Sequence, residues 1–192
     1  MKTYGLILLV SAILIFSGCI SENGRQNSQG NSDIQASQGG NMQQQKLHDD
    51  AHISDLPKED ISPSEIEALN AALDDEYKAH ATYAQVIADF GKVRPFSNII
   101  KSEETHISEL LKIYAKYDLE PVDDRWTGQI APVESVAEAC RIGVQAEVEN
   151  ADLYDDLFEK VDNQDIIAVF TSLRDASRDK HLPAFQRCGG GR

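Results

Sequence analysis

The chain has 192 residues, a formal net charge of −14, 7% aromatic residues and 26% charged residues. Those values suit one helical globular domain joined to some unfolded polar sequence. Such acidity argues against a nucleic-acid partner, because binding phosphate needs a basic surface.

Residues 1–18 read as a targeting segment rather than as part of the fold. Lys2 gives a positive start, and Leu6 to Phe16 is an almost unbroken apolar run, too short to span a bilayer as a stable helix. Ser17-Gly18-Cys19 follows. Small residues ending in Cys after an apolar run resemble the lipobox of prokaryotic lipoproteins. The resemblance implies cleavage before Cys19 and lipidation of its sulfur, with an ordinary signal peptide or an uncleaved anchor as the alternatives. In each case the rest of the chain is expected outside the cytoplasm, held at the cell membrane by the lipid if the lipobox reading is right. Residues 19–60 form the expected tether. Ser21 to Leu56 is rich in Ser, Gln, Asn and Gly, lacks aromatic residues, and cannot bury enough apolar surface to fold. Its root-mean-square reach is about 35 Å for about 40 residues. His48 and His52 sit here, in a context that reads as solvated linker rather than as a metal site.

The folded domain is expected over residues 61–192. Ser62 can cap a helix whose first position is Pro63, and Glu65 completes a capping box. This first helix is expected to run to Phe90 and stop at Gly91. Leu69, Leu73, Glu76, His80, Tyr83, Ile87 and Phe90 step by three and four along one face. A second helix spans Phe96 to Tyr117, with Phe96, Ile99, Glu103, His106, Leu110, Tyr114 and Tyr117 on its face. A long loop from Asp118 to Glu134 follows. Ser135 and Glu138 read as a second capping box for a helix reaching about Val161, whose stripe includes Cys140, Gly143, Glu147, Asn150, Tyr154 and Leu157. On the fourth helix Ile166, Phe170, Leu173, Ser177 and His181 share a face, and Pro183 is expected to end or kink it. Two short-looped antiparallel hairpins joined by one long connection make an all-α, ferritin-like four-helix bundle.

Polar residues interrupt all four apolar stripes near their middles: Glu76, His80 and Tyr83; Glu103 and His106; Glu147, Asn150 and Tyr154; Ser177 and His181. Burying such groups is costly unless something satisfies them. Carboxylates and imidazoles together suit iron, manganese or zinc. Tyr83 and Tyr154 read either as hydrogen-bond partners of the ligands or as amphipathic core residues. The competing reading of the whole set is a structural network of paired Glu and His.

Asp74-Asp75-Glu76-Tyr77-Lys78-Ala79, Val93-Arg94-Pro95-Phe96-Ser97-Asn98-Ile99-Ile100, Glu138-Ala139-Cys140 and His181-Leu182-Pro183-Ala184-Phe185-Gln186-Arg187-Cys188 resemble a prokaryotic ferritin-like domain family catalogued only as a domain of unknown function. The resemblance covers about Ile66 to Cys188. The wider superfamily of ferritins, bacterioferritins and rubrerythrins carries Glu on the first helix, Glu-x-x-His on the second, Glu on the third and often Glu-x-x-His on the fourth. Glu76, Glu103, His106 and Glu147 match the first three parts, and His181 matches on the fourth. Arg178 stands where a fourth carboxylate would be, and an Arg cannot ligate a metal. The resemblance therefore implies a metal site of Glu76, Glu103, His106, Glu147 and His181, holding mononuclear or dinuclear iron, or else manganese or zinc. His80, Tyr83, Asn150 and Tyr154 are the further candidates around it. The implied activity is that of a metal-dependent oxidoreductase of ferroxidase or peroxidase type, with a homodimer and an outside electron donor as further expectations. The alternative function is a non-catalytic bundle whose polar core is structural and whose surface serves as an interaction module.

Cys140 and Cys188 remain once Cys19 is assigned to lipid. Antiparallel helices keep a constant sum of residue numbers at one level, and the pairs Glu147–His181 and Cys140–Cys188 share that sum. Each Cys lies two turns from its candidate ligand, on nearly the same face. A disulfide is expected, in a compartment where bridges persist, with two free buried thiols as the alternative. Mass spectrometry of the native protein is expected to show an N-terminus at lipid-modified Cys19, and Cys19→Ser is expected to release the protein or block its processing. A soluble native protein beginning elsewhere would refute the lipobox reading.

Overall fold

The computed structural model describes residues 58–188. The expected leader 1–18, Cys19, and the expected tether apart from residues 58–60, with His48 and His52, lie outside the described residues, as do 189–192. Among the described residues the chain is all helical, and no helix is long and apolar enough to cross a membrane.

Helix α1, Pro63–Phe90, begins at the expected capping box: Ser62 Oγ accepts from the Glu65 N–H at 3.3 Å, and the Glu65 carboxylate accepts from the Ser62 N–H at 2.8 Å. Glu65 does more than cap. Its other oxygen accepts from the backbone N–H groups of Asp162 and Asn163 at 3.1 and 2.8 Å, tying the first turn of α1 to the turn that leads into the fourth helix. Gly91, at φ 77°, ends α1. Helix α2 is Phe96–Tyr117 and helix α3 is Val136–Phe158, three residues short of the expected Val161. The capping box expected at α3 forms by half. Ser135 Oγ accepts from the Glu138 N–H at 3.1 Å, but the Glu138 carboxylate pairs with Arg141 one turn further on. Asn163 caps α4, Gln164–Ala176, accepting from the N–H groups of Asp165 and Ile166.

The chain does not stop at Pro183. A single π-helical turn, Ser177–His181, follows α4, closed by the Leu182 N–H donating to the Ser177 carbonyl five residues back. Helix α5, Leu182–Cys188, continues from it with Pro183 as its second residue. In a regular α-helix the proline ring would press on the carbonyl four residues earlier. The wider turn supplies the room, so the fourth arm of the bundle reaches two turns past His181.

Two apolar clusters fix the directions of the helices. One packs Leu69 and Leu73 from early α1 against Leu110, Ile113 and Tyr114 from late α2, Tyr154 and Leu157 from late α3, and Ile166 and Phe170 from early α4. The other packs Tyr83 and Val86 from late α1 against Phe96 and Ile99 from early α2, Ala139 and Cys140 from early α3, and Phe185 from α5. Hence α1 runs antiparallel to α2 and α3, and α4 antiparallel to α3 and α2, while α2 and α3 run the same way. The connection between them must travel the length of the bundle, which is the ferritin-like arrangement. It runs along α1: Leu119 and Val122 pack at one end, Arg125 grips Asp74 with two hydrogen bonds of 2.8 and 2.7 Å at mid-length, and the Val133 N–H donates to Asp89 at the other end.

At that second end Cys140 and Cys188 form a disulfide, with Cα atoms 5.7 Å apart and a sequence separation of 48. A loop of that size contributes about 2–5 kcal/mol, mainly by restricting the unfolded chain. Phe185 lies beside the bridge, its ring 5.1 Å from that of Tyr83 and 5.0 Å from that of Phe96. Gly143 makes this packing possible, since a Cβ at 143 would come within 2.5 Å of the Phe185 ring. Gly143→Ala is therefore expected to overpack this end and destabilise the domain by about 1–3 kcal/mol. The measurement is a denaturant titration, and an unchanged midpoint would show that the Phe185 ring yields freely.

Candidate metal centre

Between the two apolar clusters lies a band of buried polar side chains at the waist of the bundle. Glu76 comes from α1, Glu103 and His106 from α2, Glu147 from α3 and His181 from the π-turn, and each is at most 5% exposed. Glu103 is their centre. Its Oε2 lies 2.9 Å from His106 Nδ1, and its Oε1 lies 3.3 Å from His181 Nδ1. Glu76 Oε2 approaches the same His106 nitrogen at 3.2 Å, and Glu147 Oε2 the same His181 nitrogen at 3.3 Å. Two trios result, Glu76–Glu103–His106 and Glu103–Glu147–His181, each with candidate ligand atoms within 4.8 Å of one another. They share Glu103, one oxygen to each. The sequence left mononuclear and dinuclear sites open, with one carboxylate fewer than the superfamily pattern. The fold arranges the same five residues as two matched three-ligand groups.

Two of the converging atoms have no hydrogen-bond partner. Glu103 Oε1 and His181 Nδ1 are buried and unsatisfied, although they face each other at 3.3 Å. Unpaired polar atoms of this kind are costly, and a cation placed among them would satisfy both. One nitrogen and two carboxylates per trio form a donor set suited to a hard-to-borderline divalent ion.

The surrounding residues repeat the twofold pattern. Tyr154 donates its O–H to Glu76 Oε1 at 2.8 Å, and Tyr83 donates to Glu147 Oε1 at 2.6 Å. Each phenol thus orients the carboxylate of the opposite helix, seven residues from the carboxylate on its own. Burial, with the facing carboxylates, keeps both phenols protonated far above the usual tyrosine range. Asn150 donates to Glu76 Oε1 at 3.2 Å and to Asp75 at 2.9 Å, while its oxygen accepts from Ser177 at 2.7 Å.

The candidate His80 and the non-ligand Arg178 both lie outside the two trios. The His80 ring lies 3.8 Å from the exposed Glu104 on α2. Arg178 turns outward to Asp155, at 2.7 Å, so its charge does not oppose a cation in the core. The π-turn faces Ser177 inward instead. Sequence reasoning missed Ser102, whose hydroxyl lies 3.4 Å from His106 Nε2 and 3.0 Å from His181 Nε2. Its place one turn before His106 was the available signal.

A family model described as "Uncharacterized protein domain (DUF2202)" matches residues 65–189. The chain belongs to this family. It is similar to the uncharacterized protein MJ0754 of Methanocaldococcus jannaschii, 30% identical over 151 residues that cover 71% of this chain and 80% of that protein. The crystal structure of MJ0754 matches with a TM-score of 0.63 at 26% identity, over 70% of this chain and 84% of that one. The crystal structure of rv2844, a conserved hypothetical protein of Mycobacterium tuberculosis, matches with a TM-score of 0.55 at 18% identity, over 67% and 92%, and shares the fold. The DUF2202 domain of this chain is thus a ferritin-like helical bundle whose buried Glu and His clusters could hold metal.

Without metal, the cluster balances its charge with protons. Burial opposes charge on both rings, but the facing carboxylates prevail: His106 is raised to about 10, chiefly by Glu76 and Glu103, and His181 to about 9, chiefly by Glu103 and Glu147. Burial pushes Glu76 up to about 7 despite its imidazole neighbour. Glu103, with two imidazoles, is brought down to about 2 against the same burial, so it stays ionised in the metal-free fold. Raised histidine values add stability that is complete below their unfolded value of 6.5 and disappears as pH rises through 9 to 10. Glu103 adds stability present above 4.5 and lost as pH falls toward 2. The raised Glu76 acts the other way, costing stability as pH rises from 4.5 to about 7. Calorimetry of chelator-treated protein is therefore expected to show a melting temperature that falls steadily from about pH 6.5 to about pH 10. A melting temperature that is flat or rising over that window would mean that the imidazoles are neutral in the metal-free fold.

Proposed function

We propose that this domain binds a pair of divalent transition-metal ions, iron first among them with manganese and zinc as competitors, and uses them in oxidoreductase chemistry of ferroxidase or peroxide-reducing type. The observation that carries the reading is the pair of buried, unsatisfied atoms Glu103 Oε1 and His181 Nδ1, lying where two ligand trios meet. Glu76, Glu103 and His106 would hold one ion, and Glu103, Glu147 and His181 the other. A redox-active metal there would supply electron exchange with dioxygen or peroxide. The protein's own part is to orient Glu76 and Glu147 through Tyr154 and Tyr83, to present one Glu103 oxygen to each trio, and to exclude bulk water with the apolar clusters on either side. Three protein ligands per ion leave positions for an outside molecule. A purely structural network is the weaker reading, since it would leave those two atoms ion-paired but without a hydrogen bond.

The segment 1–19 supports an extracytoplasmic, lipid-anchored position, in which the domain meets metal or peroxide outside the cytoplasm. Electrons for repeated turnover would come from a separate donor.

Metal analysis of protein purified without chelator, and again after anaerobic loading with Fe(II), tests the proposal. One ion per trio is expected in the wild type. Glu103→Gln is expected to abolish tight binding at both positions with helical content unchanged, whereas Glu76→Gln or Glu147→Gln should remove one ion each. Bound metal at a hundredfold excess over Kd should also stabilise the fold by about 2.7 kcal/mol. Wild-type protein that takes up no iron, manganese or zinc, or a Glu103→Gln variant with full metal content, would overturn the reading.

A further inference from the structure

The two imidazoles that face the shared carboxylate have opposite edges, and both edges lead to one atom. His181 Nε2 lies 3.0 Å from Ser102 Oγ, and His106 Nε2 lies 3.4 Å from the same oxygen. The rings are stacked, with centroids 5.5 Å apart and planes 22° from parallel. Ser102 precedes Glu103 on α2. One stretch of a single helix therefore supplies the carboxylate between the inner nitrogens and the hydroxyl between the outer ones.

A helical hydroxyl has an ordinary resting place, the carbonyl one turn back. Thr82, Thr105 and Thr171 all take it, donating to Lys78, Lys101 and Ile167 at 2.7, 3.0 and 2.7 Å. Ser102 instead aims its oxygen at the two rings. A hydroxyl oxygen has two lone pairs and can accept two N–H bonds while its own proton points elsewhere. Ser102 is half-buried, so solvent can take that proton.

Resting on the metal reading above, we propose that Ser102 is a positioning residue common to both metal positions: its one oxygen accepts the Nε2–H of His106 and of His181 and so holds both Nδ1 atoms toward Glu103. An imidazole that accepts on Nε2 would carry its proton on Nδ1 and could not ligate there. Two N–H donations to one acceptor exclude that tautomer in both rings together. A metal-ligating histidine commonly has its outer N–H fixed in this way, usually by a separate partner for each ring. Here one side chain serves two. The two positions are consequently coupled through Ser102 on the outside as they are through Glu103 on the inside.

The signature is distinctive. Loss of Glu76 or Glu147 touches one trio, whereas loss of the Ser102 hydroxyl weakens both without removing a ligand. The test is a Zn(II) titration of the purified full-length chain by calorimetry, comparing wild type, Ser102→Ala and Ser102→Thr. Histidine ¹H–¹⁵N spectra of the Zn(II)-loaded proteins report the tautomers. Ser102→Ala is expected to keep the stoichiometry and lose about ten- to a hundredfold in affinity at each position. Ser102→Thr is expected to restore the affinity. The wild-type spectrum should show protonated Nε2 on both His106 and His181, with slow exchange of those protons that becomes fast in Ser102→Ala. Undiminished affinity at either position in Ser102→Ala, or an Nδ1–H tautomer in the wild type, overturns this inference and leaves the metal reading standing. Wild-type protein that binds none of Zn(II), Mn(II) and Fe(II) overturns both, and if only Mn(II) or Fe(II) binds, the same affinity comparison with that ion decides. Should Ser102→Ala fail to fold, the wild-type tautomers and the affinity of Ser102→Thr still decide.

Discussion

Three carboxylates and two imidazoles are buried at the waist of this bundle, and they must be neutralised by something. Isolated charges in such a place are prohibitively expensive, so the group exists only as a set. In the metal-free fold the balance is struck by protons. Glu103 stays ionised because two imidazoles hold theirs, and burial pushes Glu76 up to about 7. Cations would replace those protons at the same inner nitrogens. A metal ion bound in this electrostatic trap would therefore have to displace protons from it.

The rest of the structure holds that trap in register. An apolar cluster closes it on each side along the bundle axis, and each end of the bundle is secured separately. At one end Glu65 joins α1 to the α3–α4 turn through backbone hydrogen bonds. At the other, the Cys140–Cys188 bridge joins α3 to the last helix, and the Tyr83–Phe96–Phe185 ring cluster joins α1 and α2 to it. Between them the long connection is fastened to α1 at Asp74 and Asp89. Tyr83 belongs to both systems, packing in the end cluster while donating to Glu147. Packing at that end therefore bears directly on the orientation of a candidate ligand.

The π-turn shows how one local irregularity shapes the site. In a regular helix Arg178, three residues before His181, would share the face of that ring. The widened turn sends Arg178 out to Asp155 and Ser177 in to Asn150. The fourth arm thereby contributes an imidazole without a competing cation. The asymmetry that remains is of composition: α2 offers a carboxylate and an imidazole, while the last arm offers a hydroxyl and an imidazole.

Much of this was legible in the sequence, because local rules wrote it there. Ser62, Pro63, Glu65 and Gly91 marked the ends of α1, and the three-four spacing of apolar residues gave four helices with polar breaks at matched depth. The constant sum along antiparallel helices paired Cys140 with Cys188, because hairpin geometry maps sequence onto height. Tertiary structure alone decided the remainder. His80 shares the stripe of Glu76 in sequence, yet its ring lies against Glu104 of α2 and outside both trios. A π-turn inserts one residue into a helix, and no periodicity read at 3.6 residues per turn reveals it. That Glu103 stands between two imidazoles, and Ser102 behind both, follows from the approach of the last arm to α2. Residues 79 positions apart met there, and a pattern confined to one helix cannot contain that meeting.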